Sequence, residues 1–413
     1  MSRNLDDLFV YPKQWLDEET SSVIRLVRQW ADKEIVSKRM EYREGYERLF
    51  KDKRKKLDID IGIGKLTMPA DLGGFGWNSS SKAPALLALA CEIGRADASI
   101  GFLSAARWTM FLLSACNHNY NKKICSKLAE LYSDEAGGTP AFILTGPGMT
   151  GIQTPLFLGR SILAHAKESE TGFTLNGKDL RPLIAGKIAD LFCVVCTVGK
   201  AKPCIALVPG DAKGIKRGEP ILMTGLNACV NAQIDFKNVS VLGENILDQE
   251  GNIEELYTWL NLLLGGVSVG AAMNFFEILS DWSENRVIKG GTILKENPLC
   301  ASVLADVAEE IALAKLLLYE LAGIIADQTK PDAQNIRQTF TYAGMIGHRA
   351  QQGIMHAINR GLELMGSAGY AKEWHVEKHW RDVKTIQSVL YGVAAEAPVK
   401  MDTARFFYNC TEI

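Results

Sequence analysis

The stretch LELMGSAGYAKEWHVEKHWRDVKTIQ, residues 362–387, decides how the rest of the chain is read. It closes the long helical run RQTFTYAGMIGHRAQQGIMHAINRGLELMG, residues 337–366. HVEKH places His375 and His379 four apart, on one face if helical. A zinc helix of that spacing needs Glu directly after the first His or directly before the second. Glu377 stands in the middle and would point away from that face. No other pair of the six histidines has convincing ligand spacing, so no metal site is expected.

Outward from this segment the chain falls into three parts, with expected domains 1–136, 137–245 and 246–413. The last part is helical. YTWLNLLLGGVSVGAAMNFFEIL is apolar nearly all round, as a helix buried on every side would be. LCASVLADVAEEIALAKLLLYELAGIIA keeps helical spacing over many turns, so an antiparallel bundle is expected. The middle part changes period. AFILT, SILAHAK, GFTLNG, DLFCVVCTV, CIALVP and AQIDF are short β-rich runs between Gly- and Pro-containing turns, which suggest an antiparallel barrel or sandwich. The first part returns to helix. TSSVIRLVRQWADKEIVSKRM offers Thr20 or Ser21 as a cap, and MPADLGGFGWN interrupts the helices as a loop. A β-domain between two helical domains makes a cleft for a cofactor.

Composition excludes several classes. The 413 residues are 47% hydrophobic and 23% charged, as in a soluble globular protein. Net charge is −2 with no strongly basic block, so nucleic acid and anionic membranes are not expected partners. The N-terminus lacks the apolar core of a signal peptide, and the most apolar stretches read as buried helices rather than membrane spans. Nine cysteines in a chain of this length do not suggest a disulfide framework, and a reducing cytoplasm is the default location.

Two motifs invite a function and fail on context. GPGMTG at 146–151 has the G-x-G-x-x-G spacing, but QTPLFLG follows instead of a helix whose N-terminus would hold phosphate. CVVC at 193–196 lies inside an apolar strand, where residues three apart point to opposite faces. Cys193 and Cys196 therefore read as core residues.

Several pieces, in their order, resemble the acyl-CoA dehydrogenase family. MPADLGGFGWN resembles the segment before its substrate helices. AFILTGPGMTG resembles its flavin-contacting T-E-P-G-x-G-S strand and loop. FTLNGKDLRPLIAGKIADLFCVV resembles its N-G-x-K-x-x-I-T-N-x-x-x-A-D strand pair, and NVSVLGE the exit from its β-domain. LNLLLGGVSVGAA resembles its first long C-terminal helix, and NRVIKGGTILKENPLCASVLADV its R-x-x-F-G loop and the helix after it. The opening stretch resembles its Q-x-x-G-G-x-G-Y segment and R-D pair, the most specific of these matches. The resemblance covers nearly the whole chain. It implies an N-terminal helical domain, a central β-barrel and a C-terminal four-helix bundle. It also implies FAD held between β-domain and bundle, and a dimer or tetramer in which a neighbouring subunit completes the flavin site. The implied chemistry is α,β-dehydrogenation of an acyl-CoA, with hydride transfer to flavin N5 and electron-transfer flavoprotein as the acceptor. Fatty acid metabolism is its implied setting.

Residue by residue, the resemblance puts Phe142, Leu144 and Thr145 against the flavin ring, with Gly146 in place of the usual Glu. Thr150 and Gly151 stand where the family has Gly-Ser. Arg181, Pro182 and Leu183 replace I-T-N, whose threonine contacts N5. Arg181 there would either favour reduced, anionic flavin or point to solvent. Arg286 matches the arginine that meets the pyrophosphate of a neighbouring FAD, followed by Lys289 and Gly290. Asn297, Glu363, Gly366 and Ser367 fall at further FAD positions. Asn261 stands where the family often has a substrate arginine, and Tyr391 and Gly392 fall at the substrate site. The family base is a Glu shortly after R-D. Its place falls on Gly392 or Leu390, and the alternative place on the first bundle helix falls on Leu260. Glu396 is the nearest carboxylate and the candidate base. Three readings stay open: a dehydrogenase with a displaced base, a non-catalytic partner subunit in a hetero-oligomer with a homologue, and a flavin-dependent monooxygenase-like member.

Overall fold

The computed structural model describes residues 5–9, 16–42, 52–115, 121–133, 138–146, 156–170, 172–199, 202–328 and 332–410. Thr150 and Gly151 lie outside the described residues.

The N-terminal region opens on α1 (Glu18–Glu34). Its cap is Asp17, whose carboxylate accepts from the Thr20 N–H at 2.7 Å, and Glu18 and Glu19 follow in the first turn. The helix thus starts ahead of the expected Thr20 or Ser21, because a carboxylate both satisfies a free N–H and meets the positive end of the helix dipole. Helices α2 (Ala83–Ala96) and α3 (Ala98–Ala115) are buried along their whole length. Asp97 separates them and caps α3, accepting from Ser99 N and Ile100 N. Helix α4 (Lys122–Ser133) leads to the strands.

The strands are β1 (Pro140–Ile143), β2 (Leu156–Phe157), β3 (Arg160–Ser161), β4 (Ala164–Ser169), β5 (Gly172–Leu180), β6 (Leu191–Val198), β7 (Lys202–Pro209), β8 (Ile215–Ile221), β9 (Asn231–Val241) and β10 (Ile246–Leu247). The main sheet runs β10-β7-β6-β4-β5-β9-β8, with β1 also on β6, while β2 and β3 form a separate hairpin. Most neighbours are antiparallel, but β1 and β4 lie parallel to β6. β8 and β10 do not pair with each other, so the sheet is open and not the closed barrel expected. β6 is buried along nearly all its length. Cys193 packs into the main core and Cys196 into the sheet's own core, on opposite faces as the strand period requires.

The bundle comprises α5 (Asn252–Asn285), α6 (Pro298–Ala326), α7 (Ala333–Met365), α8 (Val376–Tyr391) and α9 (Val393–Tyr408). α5 is the central member and packs against α2, α3, α6 and α7. By length and composition α3 and α5 would each suffice to cross a membrane, but 100% and 83% of their apolar windows are buried inside the fold. His375 adopts a left-handed conformation (φ 56°) at the cap of α8 and is not on the helix face of His379. The His379 ring is held by Asn274 Oδ1 at 3.0 Å and the His375 carbonyl at 3.1 Å.

Glu255, in the first turn of α5, lies beside Ser80, Thr258 and Gln328 in the fold. Burial, with Glu254 adjoining, pushes its carboxyl up from 4.5 to about 7. A raised carboxyl favours the folded state when protonated, so this contribution is present below about 4.5 and lost as pH rises through about 7. Glu255→Gln is expected to raise the melting temperature at pH 8 and to change it little at pH 5, read by thermal scans at both pH values.

Candidate functional site

A cleft of about 580 Å³ opens between the edge of the sheet and the bundle. Leu144, Thr145 and Gly146 follow β1 and form one wall with Arg181, Pro182 and Leu183 after β5. Tyr257 and Asn261, one turn apart on α5, line the other wall with Phe340 and Gly344 of α7. Leu390, Tyr391 and Gly392 close it at the junction of α8 and α9. The cleft brings together most of the residues that the resemblance assigned to the flavin ring and the substrate. Phe142 is the exception: it is fully buried in the main core, and its carbonyl accepts from Leu183 N at 2.9 Å. Arg181 lines the cleft from an exposed position.

The polar groups inside follow from the packing. The Thr145 hydroxyl shares a 2.6 Å hydrogen bond with the Tyr257 hydroxyl. Asn261 donates to the Tyr257 carbonyl at 2.6 Å, while its buried Oδ1 has no partner among the described residues. The buried Tyr391 hydroxyl likewise has none among them. Both atoms converge on Gly347, where an added Cβ would lie 1.9 Å from the Tyr391 oxygen and 2.8 Å from Asn261 Oδ1. Burial holds the Tyr391 phenol well above its usual pKa, so it is a donor and not a base.

Glu396 is not among the residues lining the cleft. Its carboxylate pairs with Lys400 on the next turn of α9, with His348 Nε2 4.0 Å away. Lys400 keeps its carboxyl below the usual range, the opposite of what a base near a thioester needs. Leu260 is fully buried in the core. The buried carboxylate that does line the cleft is Asp402, two turns further along α9. Burial raises its carboxyl against the pull of Arg160, which it meets at 2.6 Å, and of Arg405 at 3.1 Å. Arg160, Tyr257 and Asp402 were not singled out from sequence. Tyr257 had a signal, its position one turn before Asn261. Arg160 and Asp402 had none, being 242 residues apart in the chain.

A second group lies elsewhere. Arg286 caps the C-terminal end of α5, exposed, with its guanidinium over the Trp282 ring at 5.9 Å. Gly290 follows with φ 100° and open space around it. Asn297 Oδ1 caps α6, accepting from Leu299 N and Cys300 N. Glu363 pairs with Arg360 at 3.1 Å, and Gly366 and Ser367 are exposed after it. At 1.5 Å per residue, Asn261 and Arg286 are about 38 Å apart along α5, so the two groups of residues lie at separate places on the chain.

The residues present fit a flavin on these terms. The cleft offers a largely apolar slot bounded by the Leu144–Gly146 backbone, and two of its lining residues, Asn261 and Tyr391, each carry a buried polar atom with no partner among the described residues. The exposed Arg286, which has no anionic partner among the described residues, suits an anionic ligand.

This architecture defines a class: a sheet-and-bundle protein with a cleft for a flat cofactor between them. The model of the acyl-CoA dehydrogenase C-terminal domain matches residues 262–390. A cyclohex-1-ene-1-carbonyl-CoA dehydrogenase of Geobacter metallireducens is 24% identical over 386 residues, covering 90% of this chain and 94% of that protein. Butyryl-CoA dehydrogenase of Megasphaera elsdenii superposes with a TM-score of 0.74 at 20% identity, over 94% of this chain and 98% of that one. A dibenzothiophene monooxygenase of Paenibacillus superposes with a TM-score of 0.73 at 16% identity, over 94% and 97%. The chain is thus similar to acyl-CoA dehydrogenases along about 90% of its length, with their C-terminal domain matched over residues 262–390, and the likeness indicates a flavin-dependent oxidoreductase with FAD as its cofactor.

Proposed function

We propose that the chain is an FAD-dependent oxidoreductase acting on the α,β-carbons of an acyl-CoA thioester. The observation that carries this reading is the apolar cleft between sheet and bundle, with Thr145 and Arg181 on one wall and Asn261 and Tyr391 on the other. FAD, when bound, supplies the hydride acceptor at N5. The α-proton would leave to a base from another segment or from a second copy, while the chain's own residues shape the site. The apolar walls exclude water from the reacting carbons, and the Tyr257–Thr145 pair fixes the sheet edge against α5. A second copy, bringing Arg286 and the residues around it, completes the cofactor site in a homo-oligomer. Electron-transfer flavoprotein is the proposed electron acceptor. The test is anaerobic addition of acyl-CoA to the FAD-loaded protein, followed at the flavin absorbance band. Glu396→Gln is expected to bleach within about twofold of the wild-type rate, since Lys400 already holds that carboxylate; a loss of a hundredfold or more would return Glu396 to the role of base.

One observation favours a second reading, a non-catalytic partner subunit. Asp402 is held by two arginines and Glu396 by Lys400, while Leu390 and Gly392 offer no acceptor. Co-purification with a homologous chain that carries the missing glutamate supports it. A monooxygenase-like reaction is a third reading, because it needs no base for an α-proton.

A further inference from the structure

We propose that Arg160 is an oxyanion-binding residue of the cleft, receiving the ligand's anionic group: a phosphate of the coenzyme arm or a carboxylate on the acyl group. The inference rests on the reading above in one respect, that the ligand lies in this cleft.

Arg160 is 7% exposed and lines the cleft from β3. The β2–β3 hairpin that carries it is fixed to the sheet edge by Gly146 N–H to the Ser161 carbonyl at 2.7 Å and the reverse bond at 3.2 Å. Its guanidinium carbon stands 5.7 Å from the ring centres of both Tyr257 and Phe340. Such ring faces ease the burial of a cation without neutralising it. Two of its N–H groups are used, by Asp402 Oδ2 and by the Leu158 carbonyl at 3.3 Å. A guanidinium has five, so donors remain for a ligand.

Asp402 is a shared counter-ion. It serves Arg405 as well, through Oδ1 at 3.1 Å. The two guanidiniums take different oxygens of one carboxylate, so Asp402 is not dedicated to Arg160. A purely structural pair needs a whole carboxylate for a buried arginine, and a partly neutralised buried cation costs stability. A planar oxyanion restores the balance and matches the guanidinium fork.

The location suits an elongated ligand. Phe340, Thr341 and Asp402 are shared between the cleft and a second cavity of about 1190 Å³ lined by Arg337, Arg405 and Glu254. Arg160 thus stands at the neck between them. It also restores a charge to this wall, because Asn261, at the expected arginine position, lies one turn from the Tyr257 ring that Arg160 covers.

The test is calorimetric titration of the full FAD-loaded chain with coenzyme A, pantetheine and adipate. Wild type is expected to bind at least one of the two anions. Coenzyme A binding at least tenfold tighter than pantetheine identifies phosphate, and adipate binding identifies carboxylate. Arg160→Met is expected to weaken the binding anion at least tenfold and leave pantetheine unchanged. Arg160→Lys is expected to recover part of the loss. Asp402→Asn, which removes the competing carboxylate, is expected to tighten the anion at least threefold. The proposal is overturned if wild type binds neither anion, if Arg160→Met leaves anion affinity intact or weakens pantetheine equally, or if Asp402→Asn weakens the anion. These titrations do not read flavin bleaching, so failure here and failure of the proposed oxidoreductase activity are separate results.

Discussion

Lys378→Met is expected to destabilise the fold by about 3–5 kcal/mol, the usual consequence of removing one partner from a buried ionic cluster. Lys378 meets Asp97 at 2.8 Å and also Asp382 on the next turn of α8. All three side chains are buried. Each carboxylate also holds backbone N–H groups. Asp97 caps α3, and Asp382 accepts from Leu226 N at 2.7 Å, in the loop after β8. The cluster therefore ties the N-terminal helices, the sheet and the bundle together at one point. Burial alone would raise the Asp97 carboxyl, but Lys378 and the α3 N–H groups hold it below its usual value. A depressed carboxyl stabilises the fold above the ordinary Asp range and loses that effect as pH falls through it. The variant strands two anions, so its deficit is expected to be larger at pH 8 than at pH 4.5. Denaturant midpoints at the two pH values measure it, and equal midpoints for variant and wild type would show that the cluster does not hold the three parts together.

Gly270→Ala is the second large effect, about 3 kcal/mol or more, at the upper end for overpacked cores. A Cβ at this position of α5 would lie 2.0 Å from the Cys91 carbonyl oxygen and 2.6 Å from Arg95 N. Both are backbone atoms of α2, so no rotamer change relieves the contact. Gly94 makes the reciprocal approach, with Val267 O 2.3 Å from its Cβ position. Separating α2 from α5 displaces the helix that carries Tyr257 and Asn261 into the cleft. The variant is expected both to melt earlier and to retain less flavin through purification; a wild-type melting temperature would show that the two helices have room to part.

Much of this fold is legible in the sequence because period and order carry it. The apolar run of α5, the β-rich middle and the stretch around Arg381–Asp382 each announce their place. The open sheet is not legible, because whether β8 meets β10 depends on sheet curvature rather than on strand pattern. α1 starts earlier than expected for a local reason, since Asp17 caps better than the hydroxyls after it. The cleft is half legible. Thr145, Leu183, Asn261 and Tyr391 lie on its walls, at positions a family pattern can mark. Arg160 and Asp402 meet only because a two-residue hairpin folds onto the last helix. Glu396 misleads because proximity in sequence to Gly392 does not set which face of α9 it occupies. Lys400, one turn later, takes its carboxylate.

The proposed placement of an acyl thioester beside FAD in this cleft is tested most directly by anaerobic titration. Acyl-CoA thioesters are added to the FAD-loaded protein, and the flavin absorbance band is followed. The yellow colour is expected to bleach as thioester is added, to an end point set by protein concentration. Protein that binds FAD and coenzyme A but keeps its full oxidised spectrum with every acyl-CoA offered would contradict that placement.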